Sequence, residues 1–121
     1  MARNGNVQVR RAYDEPLESD GTRVLVDRVW PRGLRKDAAH FDQWCKQVAP
    51  STALRTWYQH DPEKWPEFEA RYRAELSEGE AAYALAELRE LAKQGPLTLI
   101  TASKRDDISQ ASVLAKLLTD R

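Results

Sequence analysis

The stretch that decides the fold is Arg23-Val24-Leu25-Val26-Asp27-Arg28-Val29-Trp30-Pro31-Arg32-Gly33-Leu34. Its first part is apolar and rich in β-branched residues, which predicts a strand, and its last part is a Trp-Pro-Arg-Gly turn. The charged pair Asp27 and Arg28 lies between the two. Because ligands in open α/β sheets bind beyond the carboxyl ends of strands, we expect a binding or catalytic site here. The residues indicate the place but no particular reaction.

Hydrophobic periodicity predicts two further strands. Alternating apolar and polar residues predict the first strand over residues 7–13, and the opening stretch makes residues 22–29 the second. Residues 97–102 read Leu-Thr-Leu-Ile-Thr-Ala and follow Gly95-Pro96. They are too few for a helix between such turn signals, so they predict a third, buried strand.

Apolar residues recur at helical spacing in five other segments, most of them with a start or stop signal. These segments are residues 41–48 with the stripe Phe41, Trp44, Cys45 and Val48, a short helix capped by Ser51, a helix starting at Asp61-Pro62 with Trp65, Phe68 and Tyr72, residues 81–92, and a last helix capped by Asp106 or Asp107. The resulting order is β-β-α-α-α-α-β-α. It predicts an α/β fold, a small, at least partly parallel three-stranded sheet covered by helices.

Composition limits the class of protein. The 121 residues are enough for one domain, and 19 basic against 19 acidic residues give no net charge. A global positive field for holding DNA or RNA is therefore absent, although a local basic patch stays open. The single cysteine, Cys45, allows no internal disulfide and no cysteine-based zinc site, so we predict no metal. Without a signal sequence or a membrane span, the chain is expected in the cytoplasm with no membrane partner.

Charged residues follow two of the predicted strands. If the second and third strands are parallel neighbours, the residues after each strand face one another. The predicted ligand-binding residues are Arg28, Trp30, Arg32 and Lys104, since guanidinium and ammonium groups favour an anion. In the alternative reading, Asp27 pairs with an arginine to support the loop and the other charges are solvated.

Two residues are candidates for catalysis, Asp27 as a base and His60 as a proton-transfer group. The alternative for His60, which the sequence favours, is a histidine at a helix junction that bonds a nearby carbonyl. The sequence leaves two roles for Trp30, either in the wall of a pocket or as a side chain that fills the core. Cys45 is expected to be buried and to pack in the core. No phosphate-loop, dinucleotide or nucleophile-elbow pattern occurs, so no cofactor is predicted.

The chain resembles the DUF488 family, and within it the YeaO-like branch. The resemblance rests on segments along nearly the whole chain, namely Asp27-Arg28-Val29-Trp30-Pro31-Arg32-Gly33, Leu54-Arg55-Thr56-Trp57-Tyr58, His60-Asp61-Pro62, and Thr101-Ala102-Ser103-Lys104. It implies a single DUF488-like domain over residues 1–121, of unknown function. Other branches carry a cysteine motif near the third strand. This sequence has no cysteine there, so thiol chemistry is unsupported.

Three hypotheses about function follow. The first is a cytoplasmic protein that binds a small anionic ligand, a phosphate ester or nucleotide, at the carboxyl ends of its strands. The second is a module that binds or processes nucleic acid with Trp30 and the same arginines. The third is a non-catalytic interaction protein in which the charged loop is scaffold. Whether the protein is an enzyme stays open at this point.

Overall fold

The computed structural model describes residues 7–119, apart from the side chain of Asp106. The strands and helices of this region are β1 (Val7–Arg11), β2 (Thr22–Leu25), β3 (Gln43–Trp44), α1 (Thr52–Tyr58), α2 (Trp65–Glu75), α3 (Gly79–Gln94), β4 (Leu97–Thr101) and α4 (Gln110–Thr119). The predicted α/β class is confirmed. Within residues 7–119, no helix is both long and apolar enough to cross a membrane.

The sheet has four strands in the order β1-β4-β2-β3, and every neighbouring pair is parallel. Strand β4 lies between β1 and β2, with Leu99 opposite Val9 on one side and Val24 on the other. All five residues of β4 are buried, as expected of a central strand in a parallel sheet. The predicted parallel pairing is confirmed, and β2 and β4 are the parallel neighbours on which the predicted site depends.

The prediction of three strands and of a helix over residues 41–48 is wrong. Gln43–Trp44 forms a fourth strand beside β2, and a short 3-10 turn follows. The backbone N–H of Asp42 donates to the carbonyl of Arg23, and that of Cys45 to Leu25, both at 2.8 Å. These bonds to β2 replace the i to i−4 bonds of a helix. Trp44 consequently lies exposed at the sheet edge instead of in the core.

Strands β1 and β2 end earlier than predicted, at Arg11 and Leu25. One more ladder bond follows each of them. The N–H of Ala12 donates to Thr101, and the N–H of Val26 donates to Ile100. Beyond these bonds the chain leaves the sheet, so the next residues lie at the carboxyl end of the sheet without pairing in it.

The two faces of the sheet are covered differently. Val24 and Leu99 belong to the main core, where the helices pack against the sheet, while Leu25 and Ile100 belong to a smaller cluster. Residues between β2 and β3, including Trp30, pack against that smaller cluster.

The predicted helix start at Ser51 is confirmed, since its hydroxyl accepts the backbone N–H of Leu54 at 3.1 Å. Asp61 accepts the backbone N–H of Glu63 at 3.0 Å, but it caps a 3-10 turn over Pro62–Lys64, and α2 begins only after that turn. The prediction that Asp106 or Asp107 caps the last helix is wrong, because both belong to a separate 3-10 turn and α4 begins at Gln110. Phe68 and Tyr72 are buried in the main core, as predicted.

A buried ion pair lies beneath the loop that precedes β2. Asp20 is fully buried and bonds the guanidinium of Arg23, which is itself 5% exposed. Asp20 also accepts bonds at 3.0 Å from Gln8 Nε2 and from the backbone N–H of Leu17. Burial by itself raises the pKa of Asp20, but the hydrogen bonds from Leu17 and Arg23 and the positive charges of Arg10 and Arg23 outweigh it and lower that pKa.

We expect Asp20→Asn to lower the free energy of unfolding at pH 7 by about 3 kcal/mol or more, because it leaves the Arg23 charge buried and unpaired. A lowered pKa means that the Asp20 carboxylate stabilises the fold above its unfolded-state pKa. This stabilisation is lost as the pH falls through the folded-state pKa. Urea titrations at several pH values should therefore show a steeper acid loss for the wild type than for the variant.

The matched control is Asp37→Asn, which removes the carboxylate of the exposed pair with Arg35. We expect its urea midpoint to stay at the wild-type value, since exposed pairs contribute little. Equal stability losses for Asp20→Asn and Asp37→Asn would contradict a structural role for the buried pair.

Gly21 occupies a position where a side chain would not fit. Its φ is +64°, and a Cβ atom there would lie 2.3 Å from the carbonyl oxygen of Pro96. Gly33 also has a positive φ, +79°, but a Cβ there would meet nothing within 4 Å. Thermal and urea unfolding should show that Gly21→Ala costs about 1–3 kcal/mol more than Gly33→Ala, because only the former adds a clash to the backbone strain. Equal losses would show that the approach to Pro96 is not tight in solution.

Candidate functional site

A cleft of about 270 Å³ lies at the carboxyl ends of β2 and β4. Its walls come from the segment after β2, from α1 and the turn after it, from the end of β4, and from the first residue of α4. The cleft exists because β2 and β4 are parallel neighbours, so both chains leave the sheet at the same edge. This is where the sequence predicted a site.

Asp27, the second residue after β2, is held by three neutral donors. Its Oδ1 accepts bonds from Thr101 Oγ1 at 2.8 Å and from Gln110 Nε2, and its Oδ2 accepts the backbone N–H of Ala102 at 2.8 Å. Its backbone carbonyl accepts the indole N–H of Trp44 at 2.7 Å. The carboxylate therefore ties the exit of β2 to the exit of β4 and to the start of α4.

Asp27 does not brace an arginine, in contrast to the alternative reading of the sequence. No ion pair among the described side chains includes it. Burial raises the pKa of Asp27, and its hydrogen bonds and the charge of Arg55 only partly offset that effect. The carboxyl thus takes up a proton more readily than an exposed aspartate.

Three arginines, Arg28, Arg32 and Arg55, line the cleft. The guanidinium of Arg28 donates to the backbone carbonyls of Ala49 and Pro50 at 3.2 and 3.3 Å, which links the segment after β2 to the start of α1. No carboxylate whose side chain the structure describes forms an ion pair with any of the three. The lining of the cleft therefore has three arginines against a single carboxylate, Asp27, and that carboxylate forms no ion pair with them.

His60 also lines the cleft, at a strained corner of the chain. Gln59 and His60 follow α1 with φ of 47° and 57°, the left-handed region that residues other than glycine rarely adopt. The imidazole lies beside the ring of Tyr58, with centroids 5.7 Å apart. Two such residues in succession cost free energy, and strain of this kind is concentrated at functional sites.

Trp30 serves both roles that the sequence left open. Its ring lines the cleft and also packs edge-on against Phe41 and Trp44, with centroids 5.5 Å apart in each pair. Its indole N–H donates to the carbonyl of Leu34 at 2.7 Å. Lys104, in contrast, is exposed and is not among the residues that line the cleft.

The structure thus brings Asp27, Arg28, Trp30, Arg32 and His60 together and leaves Lys104 outside. Sequence reasoning did not single out Arg55, Thr101 or Gln110 as members of the site. Arg55 follows the buried Leu54 on a short amphipathic helix, a pattern that usually marks a solvated face. Thr101 and Gln110 have neither charge nor a motif of their own that would have revealed their bonds to Asp27.

A metal site finds no support in the geometry. Within the described residues, no group of three His, Cys, Asp or Glu side chains comes together as metal ligands. Cys45 is half-buried, and burial raises the pKa of its thiol, which makes the reactive thiolate scarcer.

The comparisons with known proteins agree with the resemblance seen in the sequence. Residues 6–121 match the family described as the inactive DUF488-N3 subclade. Uncharacterised proteins of Mycobacterium tuberculosis and Mycobacterium bovis are each 48% identical over 121 residues, which covers 100% of both chains. The uncharacterised protein YeaO of Escherichia coli is 40% identical over 113 residues, 93% of this chain and 96% of YeaO. No solved structure matches the chain. The chain therefore belongs to the DUF488 family, within the subclade that is described as inactive.

Proposed function

We propose that this protein binds a small anionic ligand, a phosphate ester, in the cleft at the carboxyl ends of β2 and β4. One observation carries the proposal. Arg28, Arg32 and Arg55 line the same cleft, and no described carboxylate neutralises them by an ion pair. Guanidinium groups match the geometry of phosphate oxygens and keep their charge at any physiological pH.

Two further features support an anion. Helix α4 begins at Gln110, which lines the cleft, so the positive end of the helix dipole lies beside it. The carboxylate of Asp27 already accepts hydrogen bonds from Thr101, Ala102 and Gln110, and these donors partly screen its negative charge from an anion in the cleft.

Binding without turnover is the narrower proposal, and it suits a subclade described as inactive. In this view Asp27 orients the wall of the cleft and His60 contacts the ligand, and neither transfers a proton in a reaction. The rings of Phe41 and Trp44 pack edge-on against Trp30, so Trp30 supports the loop as well as lining the cleft. We place the protein in the cytoplasm, where its half-buried free thiol would stay reduced.

Arg32→Ala and Arg55→Ala should each weaken the binding of inorganic phosphate or sulfate by about 10-fold to 100-fold, because each removes a charge-assisted hydrogen bond worth about 1.5–3 kcal/mol. Isothermal titration calorimetry at low ionic strength is the measurement. Lys104→Ala is the matched control, since it removes one positive charge from the neighbouring turn without touching the cleft. An equal loss in all three variants would indicate a diffuse charge effect and contradict a built site, as would no anion binding by the wild type.

A second prediction concerns pH. Since burial raises the pKa of Asp27, this carboxyl becomes neutral before an exposed aspartate would as the pH falls. Its repulsion of an anion then disappears, so sulfate, which stays divalent in this range, should bind more tightly as the pH is lowered from 7 towards 4. Calorimetric titrations of sulfate at several pH values measure this trend.

His60 is a second ionisable residue in the lining of the same cleft, so the titration is done in the His60→Gln background. In the His60→Gln protein, the affinity for sulfate should still increase as the pH is lowered. In the protein that carries both His60→Gln and Asp27→Asn, this increase should be absent. A gain of the same size in both proteins would mean that a group other than Asp27 is responsible.

A further inference from the structure

A second cavity, of about 380 Å³, adjoins the cleft. The two share three wall residues, Arg55, His60 and Gln110. A ligand that contacts Arg55 from the cleft therefore lies at the entrance of the second cavity. The volume of this cavity is in the range of pockets that hold small molecules, roughly 300–1,000 Å³.

The second cavity differs from the cleft in chemistry. Its lining includes the rings of Tyr58 and Phe68, which stack on each other with centroids 4.2 Å apart and are 3% and 2% exposed. Both rings are almost fully buried, so the accessible part of the lining comes largely from exposed residues, which include Thr52 and Thr56, one turn apart on α1, and Gln59. A lining with neutral hydrogen-bonding residues above a buried aromatic pair suits a polar ring, whereas the arginines of the cleft suit an anion.

The strained corner of the chain lies where the two cavities meet. Gln59 and His60 both have positive φ, and His60 contributes to both cavities. A relaxed turn after α1 would place these two side chains elsewhere. The strained conformation is what holds His60 on the shared wall and Gln59 on the rim of the second cavity.

We infer that the two cavities together hold one bipartite ligand, a phosphate monoester of a polar ring compound such as a nucleoside. The phosphate lies against Arg32 and Arg55 in the cleft, and the ring enters the second cavity between α1 and the His60 corner. Arg55, which lines both cavities, contacts the phosphate at the point where the two parts of the ligand join. This inference rests on the proposed anion site and adds the class of compound that carries the anion.

The test separates the ring from the phosphate. Calorimetry compares inorganic phosphate, ribose 5-phosphate, a panel of nucleoside 5′-monophosphates and the matching neutral nucleosides. The proteins are the wild type, Thr56→Trp, which fills the second cavity, and Ala53→Trp, which places the same bulk on an exposed residue of α1 outside both cavities. Thr52→Trp, another exposed rim position, is the second filling variant should Thr56→Trp fold poorly.

The wild type and Ala53→Trp should bind at least one nucleoside monophosphate about tenfold or more tightly than inorganic phosphate. Thr56→Trp should bind both equally, at the wild-type affinity for phosphate. The bipartite ligand would be overturned, and the anion site left intact, if both filling variants still bound a nucleoside monophosphate more tightly than phosphate. The same conclusion would follow if the wild type bound no nucleoside monophosphate more tightly than phosphate. Failure of the wild type to bind phosphate or any ester would overturn the anion site itself.

Discussion

The carboxylate of Asp27 is the constraint on which the edge of the sheet depends. The ladder between β2 and β4 ends with the bond from Val26 to Ile100, and the Asp27 side chain takes over from there. It accepts bonds from Thr101, Ala102 and Gln110, which lie 74 to 83 residues further along the chain. One short side chain thus extends the pairing of two strands beyond the sheet and fixes the start of α4 against it.

That arrangement also sets the charge of the cleft. An aspartate beside several arginines would normally pair with one of them and cancel its charge. Asp27 bonds neutral donors instead, so it holds the cleft in shape without forming an ion pair with Arg28, Arg32 or Arg55. Arg23 shows the opposite case. Its charge is buried against Asp20, where the pair stabilises the loop before β2.

The short helix α1 contributes to both the core and the cleft. Its buried side, with Leu54 and Tyr58, packs into the main core, while its exposed side brings Arg55 to the cleft. The segment before α1 is held by the guanidinium of Arg28 through the carbonyls of Ala49 and Pro50. Arg28 therefore positions the helix as well as lining the cleft.

The sequence by itself determined what depends on neighbouring residues. The apolar run before Asp27 predicted a buried strand, Ser51 marked the start of α1, Asp61 marked the turn that leads into α2, and the Asp-Arg-x-Trp-Pro-Arg-Gly motif marked the family. The reason is that strand burial, capping and turn chemistry are local and leave a periodic pattern.

Only the tertiary structure decided what depends on residues far apart in the chain. Residues 41–48 have helical spacing, yet hydrogen bonds to β2 made Gln43–Trp44 a strand, because pairing with an open sheet edge outweighed a weak local preference. Arg55 and Gln110 reached the cleft, and Lys104 did not, for a similar reason. The direction of a side chain at the end of an element follows from how that element packs, and no local pattern in the sequence records it.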